Sequence, residues 1–199
     1  LGHVDGEGDL LGGGGLVEGQ IPLKDALEVL KPMLEDRSVL KIAQNLKYDW
    51  LVMTRYGVDI TPYDDTMLLS YTVDAGKGGN GMDELSERWL DHKPIPFKEI
   101  CGSGKSMITF DKVGIDKATA YAAEDADITL RLHETLWPRL TLHLSLRQLF
   151  DEIEVPLVPV LSRLERNGVR IDSDMLNRQS VELSEGMQVR EREAWDHAG

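Results

Sequence analysis

An apolar run, Val39-Leu40-Lys41-Ile42-Ala43, passes within two residues into a helix start at Asn45, and a leucine-rich helix precedes it. This helix–strand–helix order constrains the fold more than any other stretch, because it places an inward-facing strand between two layers. Upstream, Pro22 suits a first helical turn, and Leu23, Ala26, Leu27, Leu30 and Leu34 recur at helical spacing, which predicts an amphipathic helix over Ile21 to Glu35. Downstream, Asn45 stands where an N-cap is expected, and Trp50, Leu51 and Met53 continue a helix toward Gly57. Asp49 therefore falls near a strand-to-helix junction. The carboxyl ends of strands in open α/β sheets are where functional groups gather.

Two further helices are predicted, one from Asp65 to Tyr71 and one from Met82 to Leu90, separated by a glycine-rich loop over residues 75–81 whose only cation is Lys77. Pro94 to Asp111 reads as connecting structure. Asp116 can cap a long helix through Ala118, Tyr121, Ala122, Asp125, Ile128 and Leu132, which Pro138 should bend or end. Beyond Leu146 the pattern becomes a helix carrying Ile153, Val155, Leu157, Val160, Leu161 and Leu164, stopped by Asn167-Gly168. A short strand, Val169 to Ile171, then precedes a helix capped by Asp172.

Composition narrows the function. A net charge of −13 over 199 residues opposes a general electrostatic grip on nucleic acid, so any such contact must be local. Cys101 alone forms no internal disulfide, no apolar run reaches the length of a membrane span, and the first residues lack a signal-peptide pattern. A reducing cytoplasm and no membrane partner are expected. The chain opens without Met on a glycine-dense stretch to Gly15, which reads as linker-like and suggests a fragment. Gly102-Ser103-Gly104-Lys105-Ser106 imitates a phosphate loop, but Glu99 stands where the earlier glycine belongs, so a connector is expected. His92, His133 and His143 have no metal-ligand spacing with Cys101 and are expected to be surface or satisfied histidines.

The chemistry lies in Tyr121-Ala122-Ala123-Glu124-Asp125-Ala126-Asp127, where a phenol and a carboxylate four residues apart share one helix face. Asp49 supplies a second acid from a distant position. Taken singly, each is an ordinary solvated acid. Together they suit hard divalent cations, and Tyr121 can orient a water beside them.

Gln44-Asn45-Leu46-Lys47-Tyr48-Asp49 and the Tyr121 to Asp127 stretch resemble the second and third motifs of the 3′-5′ proofreading exonuclease domain in the family A, bacterial DNA polymerase I family. Asp65-Thr66-Met67-Leu68, Leu85-Ser86-Glu87-Arg88-Trp89-Leu90 and the later Glu165-Arg166-Asn167-Gly168-Val169 match that family in order. The resemblance implies an α/β, ribonuclease H-like (DEDD-type) fold lacking its first strands, followed by helices of a polymerase thumb. It divides the chain into a partial exonuclease domain over 1–145 and a polymerase entry over 146–199. It further implies a two-metal site for Mg²⁺ or Mn²⁺ in which Asp125 binds the first ion directly, Asp49 serves the second through water, and Tyr121 positions the nucleophile. Gln44 and Asn45 would lie near the terminal nucleotides, and Phe97 would pack against single-stranded DNA. The partners implied are a single-stranded 3′ end of DNA and the rest of the polymerase chain.

The family's first motif, an Asp-x-Glu on an early strand, is expected upstream of Leu1. Asp5-Gly6-Glu7 has the spelling but sits among glycines, so an impaired site is expected. Alternatives are a non-catalytic structural or DNA-binding module, or a ribonuclease D-like RNA exonuclease, whose continuation should differ from the Glu165 to Val169 passage.

Overall fold

The computed structural model describes residues 19–199, so the glycine-dense opening and Asp5-Gly6-Glu7 lie outside the described residues. The chain divides into a first compact unit that runs to Arg163 and a second, Leu164–Gly199.

In the first unit, helix α1 (Leu23–Glu35) leads to strand β1 (Lys41–Ala43), helix α2 (Leu46–Thr54), strand β2 (Tyr63–Asp65) and helix α3 (Thr66–Val73). The two strands pair in parallel, with Ile42 opposite Asp64 and Ala43 opposite Asp65. A parallel pair needs a crossover, and α2 supplies it. Helix α4 spans Met82–Leu90, the short α5 Phe97–Cys101, and the long α6 Ile115–Thr141; α7 (Leu144–Leu149) then runs through a π-helical stretch, Phe150–Glu154, into α8 (Val155–Asn167).

The core is organised on α6, which packs on α3, α4, α5, α7 and β1. Its Leu136 and Leu140 meet Leu69 of α3 and Phe150; its Ile128 and Leu132 meet Leu85 of α4; its Ala118 meets Cys101 and Val113. These side chains recur at helical spacing, and each fully buried leucine contributes about 1.5–3 kcal/mol. No Leu-to-Leu contact of this kind is directional.

Several boundaries depart from the sequence reading for physical reasons. The strand is shorter than Val39 to Ala43, since Val39 and Leu40 are exposed and only Lys41 is buried. The Lys41 ammonium is satisfied by the carbonyls of Asp36, Val39 and Thr61. Asp65 does not lie inside a helix: it ends β2 and caps α3, its carboxylate accepting from Met67 and Leu68 N–H. Asn45 occupies the N-cap position with left-handed backbone (φ 58°) and no side-chain cap bond. Gly114, not Asp116, precedes α6, and Pro138 sits inside that helix, which its packed Leu136 and Leu140 carry on to Thr141. The stretch 94–111 contains α5.

In the second unit, α8 stops at Asn167, followed by Gly168 in left-handed conformation (φ 69°), and helix α9 (Ser173–Ala198) begins after Asp172, whose Oδ1 accepts from Met175 N–H at 2.9 Å. Val169 to Ile171 forms no strand, because no neighbouring segment among the described residues pairs with it.

Candidate active site

Asp49 stands on the first turn of α2, just beyond the end of β1, and Asp125 stands on α6. Both line one cleft of about 570 Å³ together with Leu40, Ile42, Gln44 and Thr129. Of the three acids in the Glu124-Asp125-Ala126-Asp127 stretch, only Asp125 faces that space. Asp127 pairs with Arg131 at 3.3 Å on the surface. Glu124 turns toward the segment before α5, accepting from His92 Nε2 at 2.9 Å and from Ile95 N–H at 2.7 Å.

The carboxyl groups at the cleft are held above their ordinary range. Burial raises Asp125 first, Asp83 and Glu124 add repulsion, and the Tyr121 hydroxyl, which donates to it, pulls the other way. Asp49 is open to solvent, yet the surrounding protein and the negative charge of Asp65 push it up as well. Tyr121 is pushed up to about 12, chiefly by burial and by Asp125 beside it. Its phenol therefore stays protonated near neutrality and serves as a donor, not a base.

A third acid, Asp65, holds the scaffold behind the cleft. Its Oδ1 accepts from Asn45 N–H at 3.1 Å and Met67 N–H at 2.8 Å, and its Oδ2 accepts from Leu46 N–H at 2.8 Å. One carboxylate thus ties the starts of α2 and α3 together, and the start of α2 carries Asp49. Burial raises Asp65 while these donors lower it. An aspartate directly before the helical run Thr66-Met67-Leu68 was the available sequence signal for this cap.

The remaining expected residues are placed as follows. Gln44 lines the cleft, but its amide is engaged: Oε1 accepts from Thr66 Oγ1 and Nε2 donates to Asn80 O at 2.9 Å. Asn45, Phe97 and Tyr121 are not among the lining residues, and Tyr121 meets the cleft only through its hydrogen bond to Asp125. Phe97 is 43% exposed and forms a three-ring cluster with Phe110 and Tyr121, at centroid distances of 6.4 and 6.1 Å. The glycine-rich loop has a second cation that sequence reading missed: Arg88 of α4 donates to Gly79 O at 2.6 Å, while Lys77 pairs with Asp74 at 2.7 Å. His92 and His133 are satisfied histidines, paired with Glu124 and Asp64.

Two carboxylates suit a hard cation that keeps part of its water shell. No group of three or more His, Cys, Asp or Glu that could hold a metal occurs among the described residues. Asp49 and Asp125, the two carboxylates among the cleft's lining residues, are fewer donors than such a cation takes.

A family model described as 3′-5′ exonuclease matches residues 16–141, which include β1, β2 and both cleft acids. The chain belongs to the 3′-5′ exonuclease family of bacterial DNA polymerase I. It is 54% identical over 197 residues to DNA polymerase I of Rhizobium leguminosarum (99% of this chain, 19% of that one) and 45% identical over 183 residues to that of Pseudomonas aeruginosa (90% and 20%). The chain thus spans about a fifth of the length of these relatives. Among solved structures, the POL domain of Pol1 from M. smegmatis in complex with DNA primer-template and dNTP has a TM-score of 0.63 at 20% identity, covering 84% of this chain and 26% of that one. Brucella melitensis NrnC has a TM-score of 0.56 at 21% identity, covering 70% and 64%. Both likenesses show the fold.

Proposed function

We propose that the cleft between Asp49 and Asp125 is the site at which the longer protein trims the single-stranded 3′ end of DNA with Mg²⁺ or Mn²⁺, as in proofreading. The observation that carries this is the convergence of two acids, 76 positions apart in sequence, on one cleft. A water oxygen attacks the terminal phosphorus, the bond to the neighbouring 3′ oxygen breaks, and a nucleoside monophosphate leaves a free 3′-hydroxyl strand. When bound, divalent ions activate that water and stabilise the attacking and departing oxygens. Asp125 and Asp49 would hold the cation side of the cleft; Tyr121, whose hydroxyl hydrogen-bonds to Asp125, keeps its proton and would donate a hydrogen bond to the attacking water oxygen, fixing its approach. Gln44 and Asn45 sit at the end of β1, where terminal nucleotides would lie. Residues 1–145 form the exonuclease part in this reading, and 146–199 open the polymerase part; the end of the exonuclease family model at 141 favours the first bound, while the compact units divide later, after Arg163. No helix among the described residues is long and apolar enough to cross a membrane; the reading assigns the chain to the cytoplasm.

Titrating Mn²⁺ into the chain while following the aspartate side-chain NMR signals tests the site. Selective broadening of Asp49 and Asp125 is expected; absence of broadening at both would leave a scaffold without a metal site.

The raised carboxyls add a pH dependence. A folded-state value above 3.8 means that Asp49, Asp65 and Asp125 take up protons more readily folded than unfolded. Their charged forms therefore work against the fold at neutral pH, and that cost is relieved as pH falls from the raised values toward 3.8. A bound cation offsets the same cost at Asp49 and Asp125, so the Mn²⁺-induced rise in Tm should be largest at neutral pH and shrink as pH falls toward 3.8. A Tm rise that stays constant over that fall would contradict cation binding by these two acids.

Phe97 provides a second check. Base stacking on an exposed ring is worth about 1–3 kcal/mol, so Phe97→Ala should weaken binding of a short single strand by roughly 5- to 150-fold in fluorescence anisotropy. Unchanged affinity would remove Phe97 from the DNA path.

A further inference from the structure

Asp64 and His133 meet inside the first unit, Oδ2 to Nε2 at 2.7 Å, with side chains only 10% and 11% exposed. Neither residue lines the cleft. Asp64 is the middle residue of β2 and lies opposite Ile42, which does line it. His133 follows Asp125 and Thr129 at successive four-residue steps along α6, so the contact sits two turns from Asp125. Its ring stacks on Trp137 at 5.2 Å, and Trp137 in turn packs on Phe150 and beneath Arg147.

The adjoining buried row of α6 is aliphatic: Ile128, Leu132, Leu136 and Leu140. Aliphatic contacts are non-directional and tolerate small sliding and rotation of a helix about its packed position. A slide of about 1.5 Å, the rise of one residue, moves the Asp125 side chain relative to the cleft while the aliphatic row stays buried. A buried polar contact resists such a slide, since the shift breaks the hydrogen bond and leaves both groups without a partner.

We propose that Asp64 and His133 are a positioning pair: their contact sets the register of α6 against β2 so that Asp125 faces Asp49 across the cleft. Its functional importance rests on the reading of that cleft as the hydrolytic site, but the geometric claim stands or falls separately.

The decisive variant is the double substitution Asp64→Leu with His133→Phe, which fills the space and keeps a ring against Trp137. Nitroxide labels at the exposed positions Arg55, beyond α2, and Ala122, on α6, report the separation of the two helices by pulsed electron resonance without metal. The expected result is a folded protein whose label distance shifts or broadens by at least about 1.5 Å, with Mn²⁺ affinity lowered roughly tenfold. His133→Gln, which keeps a donor for Asp64, should restore a narrow distance. An unchanged distance in the double variant overturns the proposal. Failure of that variant to fold also overturns it, because the pair would then serve stability and not register. A shifted distance in a chain whose unsubstituted form binds no Mn²⁺ upholds the register role and refutes the hydrolytic reading alone.

Discussion

Asp65→Ala should destabilise the protein by about 3–5 kcal/mol, lowering Tm by on the order of 10 °C. The substitution removes the acceptor for Asn45, Leu46, Met67 and Leu68 N–H in a single step. These donors open two helices at the ends of adjacent strands, where water cannot fully replace a carboxylate that is 3% exposed. Part of the loss is offset, because burying the charge already costs energy, as the upward push on its carboxyl shows. Asp65→Asn refines the expectation. The amide oxygen can still serve the donors grouped on one side, but its NH₂ then faces the fourth, so an intermediate loss of about 1–3 kcal/mol follows. The same change removes a negative charge that helps to raise Asp49, so the Asp49 carboxyl should titrate lower in carbon-detected NMR. Denaturant unfolding with Asp65→Ala within about 1 kcal/mol of the unsubstituted protein would show that these hydrogen bonds are not what anchors α2.

Why Asp65 was hidden in the sequence explains what was legible and what was not. Helix α4 was read over Met82–Leu90 and is found there, because its buried Leu85 and Ser86 and its glycine-rich lead-in are local signals. The capped start of α9 at Asp172 was local too. Strand β2 is the opposite case. Tyr63-Asp64-Asp65 contradicts strand propensity, and it is a strand because partners far along the chain satisfy its acids: His133 for Asp64, and the N–H groups of Asn45 and Leu46 for Asp65. No periodicity reveals such partners. The site divides the same way. Motif residues brought Asp49 and Asp125 into view, and the structure places both on one cleft. Helical spacing from Tyr121 singled out Asp125 over Glu124, and the structure turns Glu124 toward His92 and Ile95 and Asp125 toward the cleft. Local reading could not show that the Gln44 amide is already occupied by Thr66 and Asn80.

Asp125→Ala should separate function from stability more sharply than any other substitution. Its carboxylate is one of two among the lining residues of the cleft, and if it is the direct cation ligand proposed above, its loss exceeds the loss of a supporting contact, which itself costs about 10- to 100-fold. Mn²⁺ affinity should therefore fall by at least about 100-fold, and 3′-end hydrolysis by the longer protein should fall with it. Stability should move in the other direction. Asp125 is charged against Asp83 and Glu124 and pushed up by burial, so removing it relieves repulsion and desolvation while forfeiting only the Tyr121 hydrogen bond. The cation-free Tm is expected to hold or rise, and Tyr121 should titrate below its value of about 12 once the neighbouring charge is gone. Under the proposed reading, an acid kept where it opposes the fold is explained by the cation it would serve. A clear fall in Tm, with Mn²⁺ affinity preserved, would make Asp125 a structural residue and move the chemistry elsewhere.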